Sequence, residues 1–372
     1  MKKLHFSRKK IILCIVAVLS FIFFLILSAV TRRMAGAQEA QQMAARWSEK
    51  NNVAQISCFF SPTSYVTEDS IMEFEHTLDR VLEEASIISE SENPGARLWA
   101  DAYSAGGEIM ISSDKTMLMA DAIGIGGDFF LFHPLKLLSG SYFSGNDLMQ
   151  DYCIIDEDAA WQLFGSNDVA GMMVTINQVP HMVTGVVKRP KGRLEEAAGL
   201  DETLVYVSYE TLQRINPGSN INHYEIVMPN PVSDFARQKV QENFFVDERE
   251  VEIIENTSRY SLVSNLKRFM QFGTRSMNGK AIIYPYWENV ARGYEDIISL
   301  LTIIMLLFLT FPVLYVLICF VKWWRHKGWT LKDMWHIGKD KIERFFEKRR
   351  IKRLRKRKAK KGIEEGEWME WL

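Results

Sequence analysis

The chain has 372 residues, 24% of them charged and 47% hydrophobic, and a formal net charge of −1. Only four cysteines are present, two of them inside long apolar runs, which excludes a disulfide framework as the basis of the fold. The near-zero charge hides a strong segregation: residues 1–10 carry +5, residues 31–296 carry −16 and residues 322–372 carry +10. Such asymmetry implies segments in different environments.

Ile11–Val30 is the first apolar run, twenty residues without a charge, long enough for a helix to cross a bilayer core of ~30 Å. Lys2, Lys3, Arg8, Lys9 and Lys10 precede it and place its start on the cytoplasmic side; Arg32 and Arg33 oppose this and are outnumbered. The alternative is a cleaved signal peptide, with Ala35-Gly36-Ala37 as the processing site. The apolar run is longer than a signal core, and two arginines separate it from that site, so a retained anchor is expected.

Met34–Lys50, rich in Ala, Gln and Glu, reads as a helix continuing the anchor outward. Gln55–Phe60 reads as a strand, and Thr67–Ser89 as an amphipathic helix through Ile71, Phe74, Leu78, Val81 and Leu82. Leu98–Ala105, Glu108–Ser112 and Thr116–Ile123 read as three strands, with Gly124-Ile125-Gly126-Gly127 a tight bend after them. Cys153-Ile154-Ile155 is a buried-type strand, followed by a helix over Glu157–Phe164 that Gly165 stops. Met173–Ile176 and His181–Val187 form a hairpin pattern with its turn at residues 177–180. Strands are expected at Leu204–Ser208, Tyr224–Met228 and Glu250–Glu255, and helices at Asp234–Asn243 and Ser258–Phe272. Tyr286 begins a helix that runs into the second apolar stretch, Ile297–Val321, which Pro312 is expected to kink. Interleaved short strands and helices predict an α+β domain rather than a doubly wound sheet.

Trp323, Trp324, Trp329 and Trp335 follow the second span, where indole rings favour the headgroup interface. Lys348–Lys361 holds eleven Lys or Arg in fourteen residues. The tail reads either as an anchor on anionic lipids or as plain positive-inside topology with a disordered end; it lacks the interleaved aromatics of a nucleic-acid binder. The expected layout is a cytoplasmic N-terminus at 1–10, crossings at 11–30 and 297–321, an extracytoplasmic domain at 31–296 and a basic cytoplasmic tail at 322–372.

Several segments carry a resemblance. Gly140–Asp147, with Phe143 inside it, is similar to a "G-R-x-F-x-x-x-D" segment, with Ser141 in place of Arg. Cys153-Ile154-Ile155, Ala159-Ala160 and Leu163-Phe164-Gly165 follow in order, then Gly171, Val174, Ile176 and Val183–Val187, then Tyr206-Val207 with Ser208 in place of Pro. Together they resemble the extracytoplasmic core domain of the MacB/FtsX-like family of ABC-transporter permeases. The resemblance implies two outer lobes, one interrupting the other, on helices that extend from the bilayer. It also implies an ABC ATPase subunit and a multi-helix permease subunit as partners, with homo- or hetero-oligomers open. It makes Gly140, Gly165, Gly171 and Gly185 turn-forming residues, Phe143, Ile155 and Phe164 core residues, and Asp147 part of the motif. Family permeases have three helices after the outer domain, whereas this sequence shows one apolar span there and no G-x-x-x-x-G-K-[ST]. That points to a non-catalytic subunit or a reduced relative.

No site chemistry is legible. The seven histidines form no H-x-H or H-E-x-x-H and there is no C-x-x-C, so no metal or cofactor is expected and each His reads as a surface or turn residue. Glu90, Glu92, Asp156, Glu157, Asp158, Glu195 and Glu196 read as a solvated acidic surface. Cys58 and Cys153 read as buried free thiols, with one bridge between them the alternative. Two functions stand: a component of an ABC-type transport or mechanotransmission system, or a free-standing membrane-anchored binding or scaffolding protein. An extracytoplasmic enzyme has no motif behind it.

Overall fold

The computed structural model describes residues 8–50, 52–88, 96–200, 202–244, 246–272, 282–326, 339 and 342–351. The chain divides into two compact units, one spanning residues 24–306 and the other combining residues 1–23 with 307–372.

Helix α1 (Arg8–Gly36) stops at Gly36, short of the continuation expected through Lys50. The chain instead makes a 3-10 turn over Glu39–Gln41 and a short helix, α2 (Met43–Trp47). Two glutamines explain the break. Gln42 Nε2 donates to the Ala35 carbonyl at 2.7 Å. Gln55, on strand β1 (Val53–Phe60), accepts from the Met43 N–H at 2.8 Å and donates to the Ala40 carbonyl at 2.7 Å. These amides satisfy backbone groups that the broken helix leaves open, and the bend buries Met43 and Ala44.

Helix α3 (Glu68–Glu84) opens with a Thr67/Ser70 capping box and buries Ile71, Phe74, Leu78 and Leu82. Strand β2 (Ala100–Ser112) passes unbroken through Gly106-Gly107, where two strands are expected from sequence. Strand β3 (Met117–Gly127) likewise absorbs the glycines expected to bend. Gly124 and Gly126 make room rather than turn, since a Cβ on Gly126 would lie 2.0 Å from the Tyr103 ring and one on Gly124 2.8 Å from Leu212, whereas Gly127, at φ +62°, ends the strand. After α4 (Phe129–Phe132) and β4 (Leu137–Gly140) come β5 (Tyr152–Asp156) and α5 (Glu157–Phe164). Asp156 caps α5 by accepting from the Ala159 N–H at 2.7 Å, and Gly165 ends it in the left-handed conformation, as expected. Strands β6 (Met173–Ile176) and β7 (Val179–Val187) meet at a two-residue turn, Asn177-Gln178, with φ of +43° and +71°. The turn is tighter than the four residues expected, because a twisted hairpin favours two left-handed residues. The remaining elements are α6 (Arg193–Ala197), β8 (Leu204–Ser208), α7 (Tyr209–Ile215), β9 (His223–Pro229), α8 (Phe235–Asn243), β10 (Val251–Glu255), α9 (Leu262–Gln271) and α10 (Tyr286–His326).

The strands hydrogen-bond in the order β10-β1-β9-β2-β3-β8-β5-β7-β4, with β6 pairing both β2 and β7. Only β3–β8 and β5–β7 are parallel among the pairs described. The elements form the expected α+β domain, and its hydrogen bonding makes one continuous sheet from β10 to β4. Both faces are covered. Cys153, Ile155, Val205 and Val207 point to a core closed by α3, α5, α7 and α8. Ile154, Leu204 and Tyr206 point to a second core, closed by α2, α4 and Trp287 of α10. Burial on both sides is why these strands read as unbroken apolar runs. Cys58 and Cys153 are buried and free, and burial pushes both thiols up.

Three histidines correct the surface reading: His133, His181 and His223 are all buried. Asp156 is buried too, accepting from Arg189 Nε at 2.8 Å and Nη2 at 2.6 Å and from the Leu204 N–H at 3.0 Å. It therefore does not belong to the solvated acidic surface expected for it. Glu90 and Glu92 lie outside the described residues, as do Trp329 and Trp335.

In the other unit, α1 and α10 supply exposed apolar side chains such as Ile12, Leu19, Val316 and Phe320. Both helices are long and apolar enough to cross a bilayer. Pro312 lies inside α10 and cannot donate to the carbonyl four residues back, that of Phe308. The Ser20 hydroxyl of α1 donates to that same carbonyl at 2.6 Å, and the Phe23 and Phe308 rings stack at 5.3 Å. Trp323 and Trp324 sit at the end of α10 beside Phe320.

Two outcomes are expected. Ser20→Ala should weaken the α1–α10 pairing by about 1 kcal/mol. Added to Pro312→Ala, which restores an N–H for Phe308, the same change should be close to neutral. A double-mutant cycle on detergent-solubilised protein measures both. The second concerns Asp101 of β2, which burial and then Glu75 of α3 push up to about 8. An unfolded Asp titrates near 4, at about 3.9, so the folded chain holds a proton between the two values. Stability from this group is full below about pH 4 and falls as pH rises through about 8. Asp101→Asn should flatten that fall, as read by urea unfolding at about pH 5 and about pH 8.5.

Candidate functional site

The second core carries a polar strip that sequence patterning does not announce. Alternation along β1 puts Gln55, Ser57 and Phe59 on that face, and alternation along β9 puts His223 and Glu225 there. Ser57 and Glu225 are direct cross-strand partners. The Ser57 hydroxyl donates to Glu225 Oε1 at 2.7 Å and accepts from Asn256 Nδ2 at 2.7 Å. Asn256 Oδ1 in turn accepts from Arg259 Nη1 at 3.0 Å.

Arg259 is the centre of this arrangement. It lies between β10 and α9 and is 2% exposed, so its charge has almost no water to rely on. Its guanidinium grips Glu288 through Nη1 at 2.8 Å and Nη2 at 2.7 Å, and reaches Glu295 through Nε at 2.6 Å. Glu288 and Glu295 are seven residues apart, two turns along one face of α10. Burial pushes the Arg259 guanidinium down, but Glu288 outweighs it and the net direction is up. Arg292 backs Glu288 at 3.0 Å and Arg268 backs Glu295 at 2.7 Å. Glu252 of β10 closes the rim, accepting from Arg292 at 3.2 Å and from the Tyr284 hydroxyl at 2.9 Å. The segment after α1 is tied to the same face. Arg46 donates to the carbonyls of Leu131 and Phe132 at 2.9 and 3.1 Å, beside the glutamine bond of Gln55 to residues 40 and 43.

At the inner end of the strip, His133 Nε2 and His223 Nε2 each lie 3.2 Å from a Glu225 oxygen. Phe129 stacks on His133 at 4.5 Å, Phe59 stacks on His223 at 4.9 Å, and Trp287 packs against both rings. Burial pushes the His133 imidazole down. For Glu225 burial acts upward, the two imidazoles act downward, and the net direction is down. Among the described residues these three form the one group of His, Cys, Asp and Glu side chains placed to hold a metal ion.

The residues singled out by resemblance lie elsewhere. Gly140 and Gly185 are partners across β4 and β7, and a Cβ on Gly140 would lie 2.0 Å from the Thr184 carbonyl oxygen. The Gly171 N–H donates to the Val183 carbonyl at 2.7 Å. Phe143 is buried edge-on to Phe130, Ile155 is buried on the opposite face, and Phe164 packs at the edge of the same core as Ile155. Asp147 accepts from the Ser144 N–H at 3.0 Å and shapes the loop before β5. These residues build the β5-β7-β4 end of the sheet and do not reach the strip on β1 and β9. The only signals for the strip were His223-x-Glu225 inside an apolar strand and the seven-residue spacing of Glu288 and Glu295.

Removing the arginine should leave the buried Glu288 and Glu295 with one arginine each, Arg292 and Arg268, and without the group that joins them. Arg259→Met is expected to cost about 3–5 kcal/mol, with Arg259→Lys recovering less than half because an ammonium cannot grip Glu288 bidentately. Thermal unfolding of the detergent-solubilised chain checks this.

The family profile described as the MacB-like periplasmic core domain matches residues 12–242. Curated relatives include the macrolide export ATP-binding/permease protein MacB of Chromobacterium violaceum, 34% identical over 76 residues, which is 20% of this chain and 12% of that protein. The protein of the same name from Neisseria meningitidis serogroup A is 29% identical over 156 residues, 39% of this chain and 23% of the relative. The chain thus spans less than a quarter of the length of these relatives. Among solved structures, the periplasmic region of MacB from Actinobacillus actinomycetemcomitans is 16% identical, covering 57% of this chain and 92% of that one, with a TM-score of 0.38. The extracellular domain of the ABC-type transporter YknZ from Gram-positive bacteria is also 16% identical, covering 54% and 99%, with a TM-score of 0.37. With the profile matching well over half of its length, the chain belongs to the MacB-like periplasmic core domain family.

Proposed function

We propose that the chain is a non-catalytic membrane subunit of an ABC-type transport or mechanotransmission system, coupling a partner ATPase to its extracytoplasmic domain. In this reading 11–30 and 297–321 cross the inner membrane, 31–296 lies outside, and 1–10 and 322–372 are cytoplasmic. Trp323 and Trp324 rest at the interface and the basic tail meets anionic lipids. A multi-helix permease subunit completes the machine, and nucleic acid has no part in it. Gly140, Gly165, Gly171, Gly185, Phe143, Asp147, Ile155 and Phe164 serve as scaffold.

The observation that carries this reading is the grip of Arg259 on α10. One 41-residue helix holds both an apolar span and, in its first turns, Glu288 and Glu295. A displacement of that helix has a stiff, charged connection to β1, β9 and β10 through Arg259, Asn256 and Ser57. Affinity purification from native membranes in mild detergent is expected to recover an ATP-binding subunit and a multi-helix permease with the chain. Glu252→Gln, at the rim of the grip, is expected to leave that assembly and its ATP hydrolysis intact while lowering transport. Recovery of the chain alone would sink the proposal in favour of a free-standing binding or scaffolding protein.

A further inference from the structure

The His133, His223 and Glu225 cluster has the wrong geometry for an ordinary hydrogen-bonded triad. Both imidazole Nε2 atoms sit 3.2 Å from a carboxylate oxygen, yet neither ring N–H is aligned on it. His133 Nε2, His223 Nε2 and Glu225 Oε2 are therefore buried polar atoms without a hydrogen-bond partner. Three such atoms buried together would be costly, at about 1–3 kcal/mol each. Glu225 is 1% exposed, and among the described residues no Lys or Arg lies within ion-pair distance of it.

A metal ion removes all of these costs together. Two imidazole nitrogens and a carboxylate are the donor set that suits zinc, with metal–ligand distances of about 2.0–2.2 Å. Tetrahedral ligands at such distances stand about 3.3 Å apart. His133 Nε2 stands 3.2 Å from Glu225 Oε2, close to that spacing, His223 Nε2 stands 3.2 Å from the other carboxylate oxygen, Oε1, and one ligand atom from each of the three residues lies within 4.8 Å of the other two. The supporting contacts are those a ligand set needs. Ser57 donates to Glu225 Oε1 at 2.7 Å, and the Ser104 hydroxyl lies 3.3 Å from His223 Nδ1, which orients the ring with Nε2 inward. A cavity of about 130 Å³, lined in part by His133, Pro134 and Trp287, adjoins the cluster and offers a way in.

We infer that His133, His223 and Glu225 form a mononuclear zinc site with three protein ligands, joining the end of α4 to β9 beneath Trp287. The fourth position is left to water. The ion would stiffen the same face that receives α10, without depending on whether α10 moves.

The full-length protein, purified in detergent after growth with zinc, is expected to hold roughly one zinc per chain by elemental analysis. Removal with a chelator and refilling with Co2+ should give the visible bands of a four-coordinate ion. X-ray absorption on the zinc form should show nitrogen and oxygen neighbours with imidazole back-scattering and no sulfur. His223→Gln should reduce the bound metal at least tenfold, and Ser57→Ala, which keeps all three ligands, should weaken affinity about tenfold. If His223→Gln does not fold, the wild-type cobalt and absorption spectra decide alone. Folded wild-type protein that neither retains zinc nor takes up Zn2+ or Co2+ overturns the inference, as does a sulfur-containing shell or binding unchanged in His223→Gln. The subunit purification above reads neither result, so the two proposals fail separately.

Discussion

Arg259 is a charge that cannot stand alone. Buried at 2% exposure, it is stable only because Glu288 and Glu295 of α10 surround it. Those carboxylates need the arginine just as much. The requirement fixes where α10 meets the domain: a sliding of one turn would put an unmatched carboxylate against an unmatched guanidinium. Apolar packing tolerates small shifts at little cost, whereas a buried bidentate ion pair has one register. The polar contacts of Asn256 and Ser57 carry that register into β1 and β9, and the glutamine bonds of Gln55 do the same for the segment after α1.

The sheet makes this possible because it is covered on both faces. Its first face holds a conventional apolar core under α3, α5, α7 and α8. The second core mixes aromatic rings with serine, histidine and glutamate, and α2, α4 and Trp287 of α10 close it. Polar groups buried in such a place are strong only if fully satisfied. Most of them are, through short bonds to Arg259, Ser57 and backbone carbonyls. The two imidazole Nε2 atoms, Glu225 Oε2 and the Trp287 indole N–H are exceptions, and a divalent ion is the chemistry that would complete the first three.

The membrane unit shows the same accounting of backbone groups on a smaller scale. A proline inside a lipid-exposed helix frees a carbonyl that hydrocarbon cannot solvate. The Ser20 hydroxyl takes it. Ser20 is thus no neutral passenger in the first apolar run: it specifies which part of α1 lies against α10.

Much was legible in the sequence because it depends on local pattern. Two charge-free runs define the apolar spans, short apolar runs give β1, β5 and β8, period-3.6 alternation gives α3, and Gly165 marks the end of α5 through its own conformational freedom. The order of short motifs from Gly140 to Ser208 gives the family. What tertiary structure decided is everything that depends on partners far apart in the chain. Gly124 and Gly126 look like a bend until the Tyr103 ring and Leu212 are seen to need their missing side chains. The helix after Gly36 breaks because Gln55, on the next strand, bonds the turn. Histidines 90 residues apart, Ser57, and an arginine near residue 260 have no sequence signature as a group. Only the pairing of β1 with β9, and the closing of α4 and α10 over them, puts those charges within reach of one another.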